Sequence, residues 1–249
     1  MARELSSLGS LGANSRLYNA SACDFQNADF SIALWLYPNS VSTLLFKGRY
    51  GTAGWYAQIG RSTSLGLDFV SYNGSTVDET YSTASFISTG QWQHIGITRS
   101  GSSVKFFRDG VEASYGASGS HGVITSSSDE FVVGAYWIRA DLSTTGHYAE
   151  IATYDSALSS AQIASLARGF SPMLVSAATL RNYWPLIGRA TTEPDLTGAG
   201  PLSNLDLTQS SHPRVIYPRR KQVVVASAGA PAGDAVPQVW SQYRRRHAG

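Results

Sequence analysis

From Asp29 onward apolar residues recur at every second position. The stretch "DFSIALWLYP" sets Phe30, Ile32, Leu34 and Leu36 on one face and Ala33, Trp35 and Tyr37 on the other, which is the period of a strand and not of a helix. Both faces are apolar, so this strand is expected to have neighbours on either side. Runs of the same kind follow in "TLLFKG", "GWYAQIG", "LGLDFVSY", "TYSTASFI", "QWQHIGITR", "VKFFRDG", "EFVVGAY" and "HYAEIATYD", most of them bounded by Gly, Ser, Asn or Asp. Short strands at this spacing predict an all-β sandwich.

Within "GQWQHIGITRSGSSVKFFRDGVEAS", Ile95 and Ile97 share a face opposite Trp92, His94 and Thr98, and "SGSS" at Ser100 to Ser103 reverses the chain into a hairpin. Asp109-Gly110 supplies the positive φ angles of a second, primed turn. One helix stands out in "LSSAQIASLARG". Ser159 and Gln162 have capping-box spacing, Arg168 precedes Gly169 at the end, and Leu158, Ile163 and Leu166 form the apolar stripe. A single short helix after many strands is expected to cover one open end of the sandwich.

Beyond Pro172, "LRNYWPLIG", "PDLTGAGPLSNLDLTQ" and "HPRVIYP" carry prolines that assign them to edge strands or extended loops. After Pro218 the character changes to the Ala, Gly and Pro rich "RRKQVVVASAGAPAGDAVPQVWSQYRRRHAG". The expected organisation is a sandwich over residues 1–218, with a variable opening segment 1–28 and completing strands within 172–218. An extended or flexible arm over 219–249 follows it.

Charged residues make up 14% and aromatics 11% of the 249 residues, against a usual charged share of about 25%. The net charge of +2 is too small for a field that would draw nucleic acid or anionic lipid over the whole surface. No run approaches the ~18 apolar residues of a membrane helix, and the N-terminal "MARELSSLGSLGANSRLYN" lacks the apolar core of a secretory signal. Cys23 is the single cysteine, which excludes an intrachain disulfide and paired-thiolate metal sites. The expectation is a chain folded in the cytoplasm and stabilised by its core, with Cys23 a quiet, small apolar residue.

The order of these motifs resembles the laminin-G-like, concanavalin-A-like family. "FSIALWLYP" is followed by the W-x-H-hydrophobic hairpin with its D-G turn, then by "FVVGAY", then by "GHYAEIATYDSALSSAQIASLARG" as strand, D-x-x-L-S turn and short helix. The resemblance covers roughly Phe30 to Gly169 and implies a jelly roll of two antiparallel sheets. Family members include lectins, adhesion modules, hydrolases and virion proteins, so function has to be argued from sites. Where many relatives carry Asp in the strand before the D-x-x-L-S turn, this chain has Glu150, which departs from an inherited calcium site.

A glycosidase of this fold needs two carboxylates facing one groove, and the E-x-D-x-x-E strand that resembles such members is missing. Asp78-Glu79 and Asp129-Glu130 lie in turn-like sequence and read as solvated charges. There is no G-x-S-x-G elbow and no H-E-x-x-H spacing, and His94 reads as a packed strand residue. Asp68, Asp141, Glu150 and Asp155 are oxygen donors that calcium would use, but no loop concentrates them at a known spacing, so no cofactor is assigned. For sugar binding the candidates are Tyr50, Trp55, Tyr72, Tyr136, Trp137 and Arg139, with core or rim packing as the alternative role for their rings. In the arm, Arg219, Arg220, Lys221, Trp240, Tyr243, Arg244, Arg245 and Arg246 are interface-prone residues suited to docking on a partner, with a solubilising tail as the alternative.

The expected function is non-enzymatic. It is a structural or interaction module, a capsid-decorating or other virion surface protein of a bacterial virus, homo-oligomeric and held by its arm to other virion proteins. The viral assignment comes from the resemblance to compact laminin-G-like virion proteins. The alternatives are a carbohydrate-binding adhesin or tail-associated lectin, with glycans as partners, and a glycoside hydrolase. Membrane and nucleic acid are not expected partners.

Overall fold

The computed structural model describes residues 2–5, 16–26, 28–136, 144–187, 192–205 and 208–216. The chain divides into a unit Met1–Pro218 and a unit Arg219–Gly249, and the second lies wholly outside the described residues. In chain order the strands begin with β1 (Ala2–Leu5), β2 (Arg16–Asn19), β3 (Phe30–Pro38), β4 (Thr43–Arg49), β5 (Ala53–Ile59), β6 (Leu67–Tyr72), β7 (Val77–Ser82) and β8 (Gln93–Ser100). They continue with β9 (Ser103–Arg108), β10 (Val111–Glu112), β11 (Tyr115–Ser118), β12 (Phe131–Val133), β13 (Gly146–Tyr154) and, after the helix α1 (Ser160–Ala167), β14 (Leu180–Trp184). The last are β15 (Thr192–Glu193), β16 (Leu202–Leu205) and β17 (Thr208–Ser210).

These strands form two antiparallel sheets, a sandwich as the strand spacing predicts and a jelly roll as the family resemblance implies. The first runs β10-β9-β8-β3-β13-β1-β17, with β14 also paired to β13; the second runs β11-β7-β6-β5-β4-β12-β2-β16-β15. β3 lies between β8 and β13, in agreement with its two apolar faces. Its Phe30, Ile32, Leu34 and Leu36 enter the core between the sheets together with Ile95 and Ile97 of β8 and Leu45, Trp55, Phe69 and Phe131 of the second sheet.

The Asp109-Gly110 turn has φ of 51° and 83°, the left-handed pair expected there. Of the proline-bearing C-terminal pieces, β17 lies at the border of the first sheet as an edge assignment expects, whereas β16, directly after Pro201, is inside the second sheet, paired by both β2 and β15.

The helix has its capping box, Ser159 with Gln162, and buries Leu158, Ile163 and Leu166. Its place differs from the expectation. It lies on the outer face of the first sheet, over Ala33, Phe107, Ala152 and Tyr154, and not across an open end. Two features of β3 and β8 bring it there. The outward Ser31 hydroxyl donates to the Ser156 carbonyl at 2.8 Å and accepts the Leu158 amide at 2.8 Å, tying the helix entry to the sheet. Gly96 leaves room for Ile163, since a Cβ there would stand 3.1 Å from Ile163 Cγ2.

"TYSTASFI" is a strand only as far as Ser82, and the strand starts earlier, at Val77. Residues 83–88 leave the sheet because other partners take their backbone. The amides of Ser85 and Ile87 bond to the carbonyls of Ser64 and Leu65, Thr83 bonds to Ser114, and Ser85 has φ of 61°. The released loop crosses toward the border of the first sheet.

Candidate functional site

Trp55 is 1% exposed and stands in the core. Its ring is 5.7 Å from both Phe25 and Phe69, and its Nε1 donates to the Cys23 carbonyl at 2.9 Å. The expectation that it forms part of a ligand rim is therefore corrected: period-two alternation turns Trp55 inward with Ala57 and Ile59. Tyr72 is buried too, in an aromatic cluster on the outer face of the second sheet with Phe46, Tyr56 and Val70. Tyr50, 57% exposed, lies over this cluster with ring centroids 6.0, 6.0 and 5.8 Å from Tyr56, Tyr72 and Tyr136. Tyr50, Tyr72 and Tyr136 thus come together as a tyrosine platform in which only Tyr50 is well exposed. Trp137, Arg139, Arg219, Arg220, Lys221, Trp240, Tyr243, Arg244, Arg245 and Arg246 lie outside the described residues.

Of the acids expected to be solvated turn charges, Asp129 and Glu130 do lie outside the strands and are half-exposed, whereas Asp78 and Glu79 are placed otherwise. Asp78 and Glu79 belong to β7: Asp78 accepts the Gly122 amide at 2.9 Å, and Glu79 pairs with Arg61 and accepts the Ser62 hydroxyl at 2.8 Å. Glu130 pairs with Arg16 at 3.1 Å, and the Asp129 carbonyl accepts from the buried Lys47 ammonium at 2.6 Å. Asp68, beside Glu79 on the second sheet, has no solvent contact and burial raises its pKa. Sealed in this way, it cannot meet a substrate. Among the described residues no three His, Cys, Asp or Glu side chains converge as metal ligands. Asp141 falls outside those residues and Asp155 is an exposed partner of Arg181. Cys23 is buried and its thiol pKa is pushed up by desolvation, as suits an unreactive packing residue.

Glu150 has a role that no motif announced. β13 is paired by β1 up to Tyr148 and by β14 from Ile151, and Glu150 falls between them with φ of 55°. Its carboxylate accepts from the Tyr183 hydroxyl and pairs with His212 Nε2 at 3.0 Å. His212 Nδ1 faces the Pro213 carbonyl at 2.6 Å. With acceptors on both sides the imidazole must donate twice, which only its protonated form does. Desolvation works against that charge, but the bonds to Glu150 and Pro213 outweigh it and raise the His212 pKa. The cavity beside this pair, lined by Trp35, His94, Glu150 and Phe170, has about 10 Å3, space for roughly one water.

A ligand-sized concavity lies elsewhere. The loop released after β7 and the β9–β10 turn enclose a groove of about 390 Å3, lined by Thr83, Ala84, Ser85, Phe86, Arg108, Asp109, Val111, Glu112, Ala113 and Ser114. That is within the usual range for small-molecule sites, ~300–1,000 Å3. Arg108 fixes the loop wall. Its Nη1 donates to the Phe86 carbonyl at 2.5 Å and to Ser88 Oγ at 3.3 Å, and its guanidinium stands 5.8 Å from the centre of the half-buried Phe86 ring. Asp109 Oδ1 accepts the His94 amide at 2.8 Å, and Glu112 is held by Lys105 at 3.1 Å with the Tyr115 hydroxyl at 3.4 Å. The groove is therefore lined by the half-buried Phe86 ring, which packs against the core and carries Arg108 over it, by three hydroxyl side chains and by two exposed carboxylates. The sequence pattern does not reveal it because "TYSTASFI" has the alternation of a continuous strand; the available signal is the Thr-Ala-Ser break before Phe86.

Two sheets back to back with a groove along one lateral border define a jelly-roll module of the concanavalin A-like type. The chain belongs to the family described as the concanavalin A-like lectin/glucanases superfamily, of laminin-G type, which matches residues 11–164. The fold is similar to that of the native heptameric SAP-like pentraxin from Limulus polyphemus, with TM-score 0.50 and 14% identity over 67% of this chain and 81% of that one. It is also similar to a Bacteroides ovatus protein assigned to carbohydrate binding, with TM-score 0.59 and 15% identity over 85% of this chain and 59% of that one. The chain thus spans little more than half of the Bacteroides protein. No curated protein matches the sequence.

Proposed function

We propose that this chain is a non-catalytic carbohydrate-binding module that takes a short oligosaccharide in the groove between 83–86 and 108–114. The observation that carries the reading is the Phe86 ring, clamped by Arg108 inside a sugar-sized groove with hydroxyl and carboxylate side chains around it. The accessible part of an aromatic ring beside convergent polar groups gives a pyranose or furanose ring an apolar contact and partners for its orientation. Membership of a superfamily that contains lectins, and the likeness to a Bacteroides protein assigned to carbohydrate binding, agree with it. The groove carboxylates are exposed, without the burial that turns a carboxyl group into a general acid, which supports binding without hydrolysis.

A glycan array followed by calorimetry on the wild type and on Phe86→Ala tests the reading. Selective binding that falls at least ~10-fold in a folded Phe86→Ala protein supports it. Release of reducing sugar from a polysaccharide panel contradicts the non-catalytic part.

The second proposal is a capsid-decorating or other virion surface role in a homo-oligomer. It rests on the basic and aromatic residues of the arm 219–249 and on the resemblance to virion proteins. Co-purification with viral particles, lost on truncation after Pro218, is its test, and normal decoration by the truncated chain counts against it.

A further inference from the structure

The groove's polar groups are unequal in kind. Among the described residues its one lining cation, Arg108, is committed to the Phe86 carbonyl and Ser88 Oγ and lies against the Phe86 ring. Asp109 has one oxygen on the His94 amide, and Glu112 has Lys105 as a solvent-exposed partner. A carboxylate only accepts hydrogen bonds, and its bonds from hydroxyl donors are charge-assisted and short. Thr83, Ser85 and Ser114 can donate or accept, so the charged side chains set the demand: a ligand rich in hydroxyl donors and without negative charge.

We infer that the groove selects neutral glycans over uronate-bearing or sialylated ones, with Asp109 and Glu112 accepting hydroxyl hydrogen bonds from the sugar. This rests on the groove being the sugar site and adds its substrate class. A sugar carboxylate brought beside Asp109 meets like charge with Arg108 already engaged, whereas a vicinal diol meets two acceptors.

The test compares neutral gluco-, xylo-, arabino- and galacto-oligosaccharides with oligogalacturonate, oligoalginate and sialyllactose, at low and high salt. The proteins are the wild type and the Asp109→Asn/Glu112→Gln double variant. Asn tolerates the left-handed backbone of Asp109 and keeps the acceptor for the His94 amide, so the variant removes charge and preserves the turn. The expected result is that a neutral oligosaccharide binds the wild type roughly 10-fold more tightly than any anionic one. The double variant should lose about 10-fold in neutral-sugar affinity and most of its discrimination. Equal binding of both classes to the wild type, or an anionic preference, overturns the inference and leaves the groove a sugar site. An unchanged preference in the variant overturns the roles of Asp109 and Glu112. If neither class binds, the groove is not a sugar site and both readings fall.

Discussion

His212 Nε2 lies 3.0 Å from Glu150 Oε1, and this pair ties the segment after β17 to the outer face of the first sheet. The folded chain holds the His212 proton more tightly than the unfolded chain, whose histidine pKa is about 6.5. The resulting stabilisation is fully present below that value and is lost as pH rises through the raised folded pKa. Replacing His212 by Gln should cost about 1–3 kcal/mol near pH 6 and progressively less toward pH 9. Thermal transitions of both proteins across this range check the slope. A difference independent of pH would show that the imidazolium is not what stabilises the pair.

His94 and His121 titrate in the opposite sense. Burial pushes them down to about 3 and about 4. His121 has hydroxyl partners, Ser71 at 2.8 Å and Thr80 at 3.0 Å, which can donate to a neutral ring as well as accept from it. As pH falls below about 6.5 the unfolded chain takes up protons that the folded chain refuses, so stability drops by roughly 1.4 kcal/mol per pH unit per histidine until the folded pKa is reached. Urea unfolding at pH 7 and pH 4.5 should show this loss. His121→Gln should flatten it by about one histidine's share.

The helix position gives a steric prediction. A valine at Gly96 would press on Ile163, already 3.1 Å from a bare Cβ, and should destabilise the protein by about 1–3 kcal/mol. If α1 closed an open end of the sandwich, the same substitution would be nearly neutral. Calorimetric melting of Gly96→Val, with Ile163→Ala added to relieve the contact, separates the two arrangements.

Trp55 and Tyr50, both rim candidates by sequence, should respond differently to truncation. Trp55→Ala opens the core and should cost about 3–5 kcal/mol. Tyr50→Ala, at a site 57% exposed, should stay within about 1 kcal/mol. Equal losses in denaturant titrations would contradict the burial of Trp55.

The sheet residues were legible because alternation is a local property. Phe30 through Leu36 and Ile95 with Ile97 announce their faces in consecutive residues, and Ser159 with Gln162 announces a helix start. What remained hidden depends on distant partners. Glu150 acquires its meaning from His212 and Tyr183, and Trp55 could be assigned to core or rim only once Phe25 and Phe69 were placed beside it. The groove follows the same rule, since it exists because Ser64, Leu65 and Ser114 draw the residues after Ser82 out of the sheet. Within "TYSTASFI" the Thr-Ala-Ser break signals a departure from the strand, but it does not name the partners that take the backbone.

The most direct measurement is calorimetric titration of a glycan selected on an array into the wild type and into Phe86→Ala, each shown to melt cooperatively. The account predicts saturable one-site binding to the wild type and at least a ~10-fold loss in the variant. Equal affinity in the two proteins, or no glycan bound by the wild type, would contradict it.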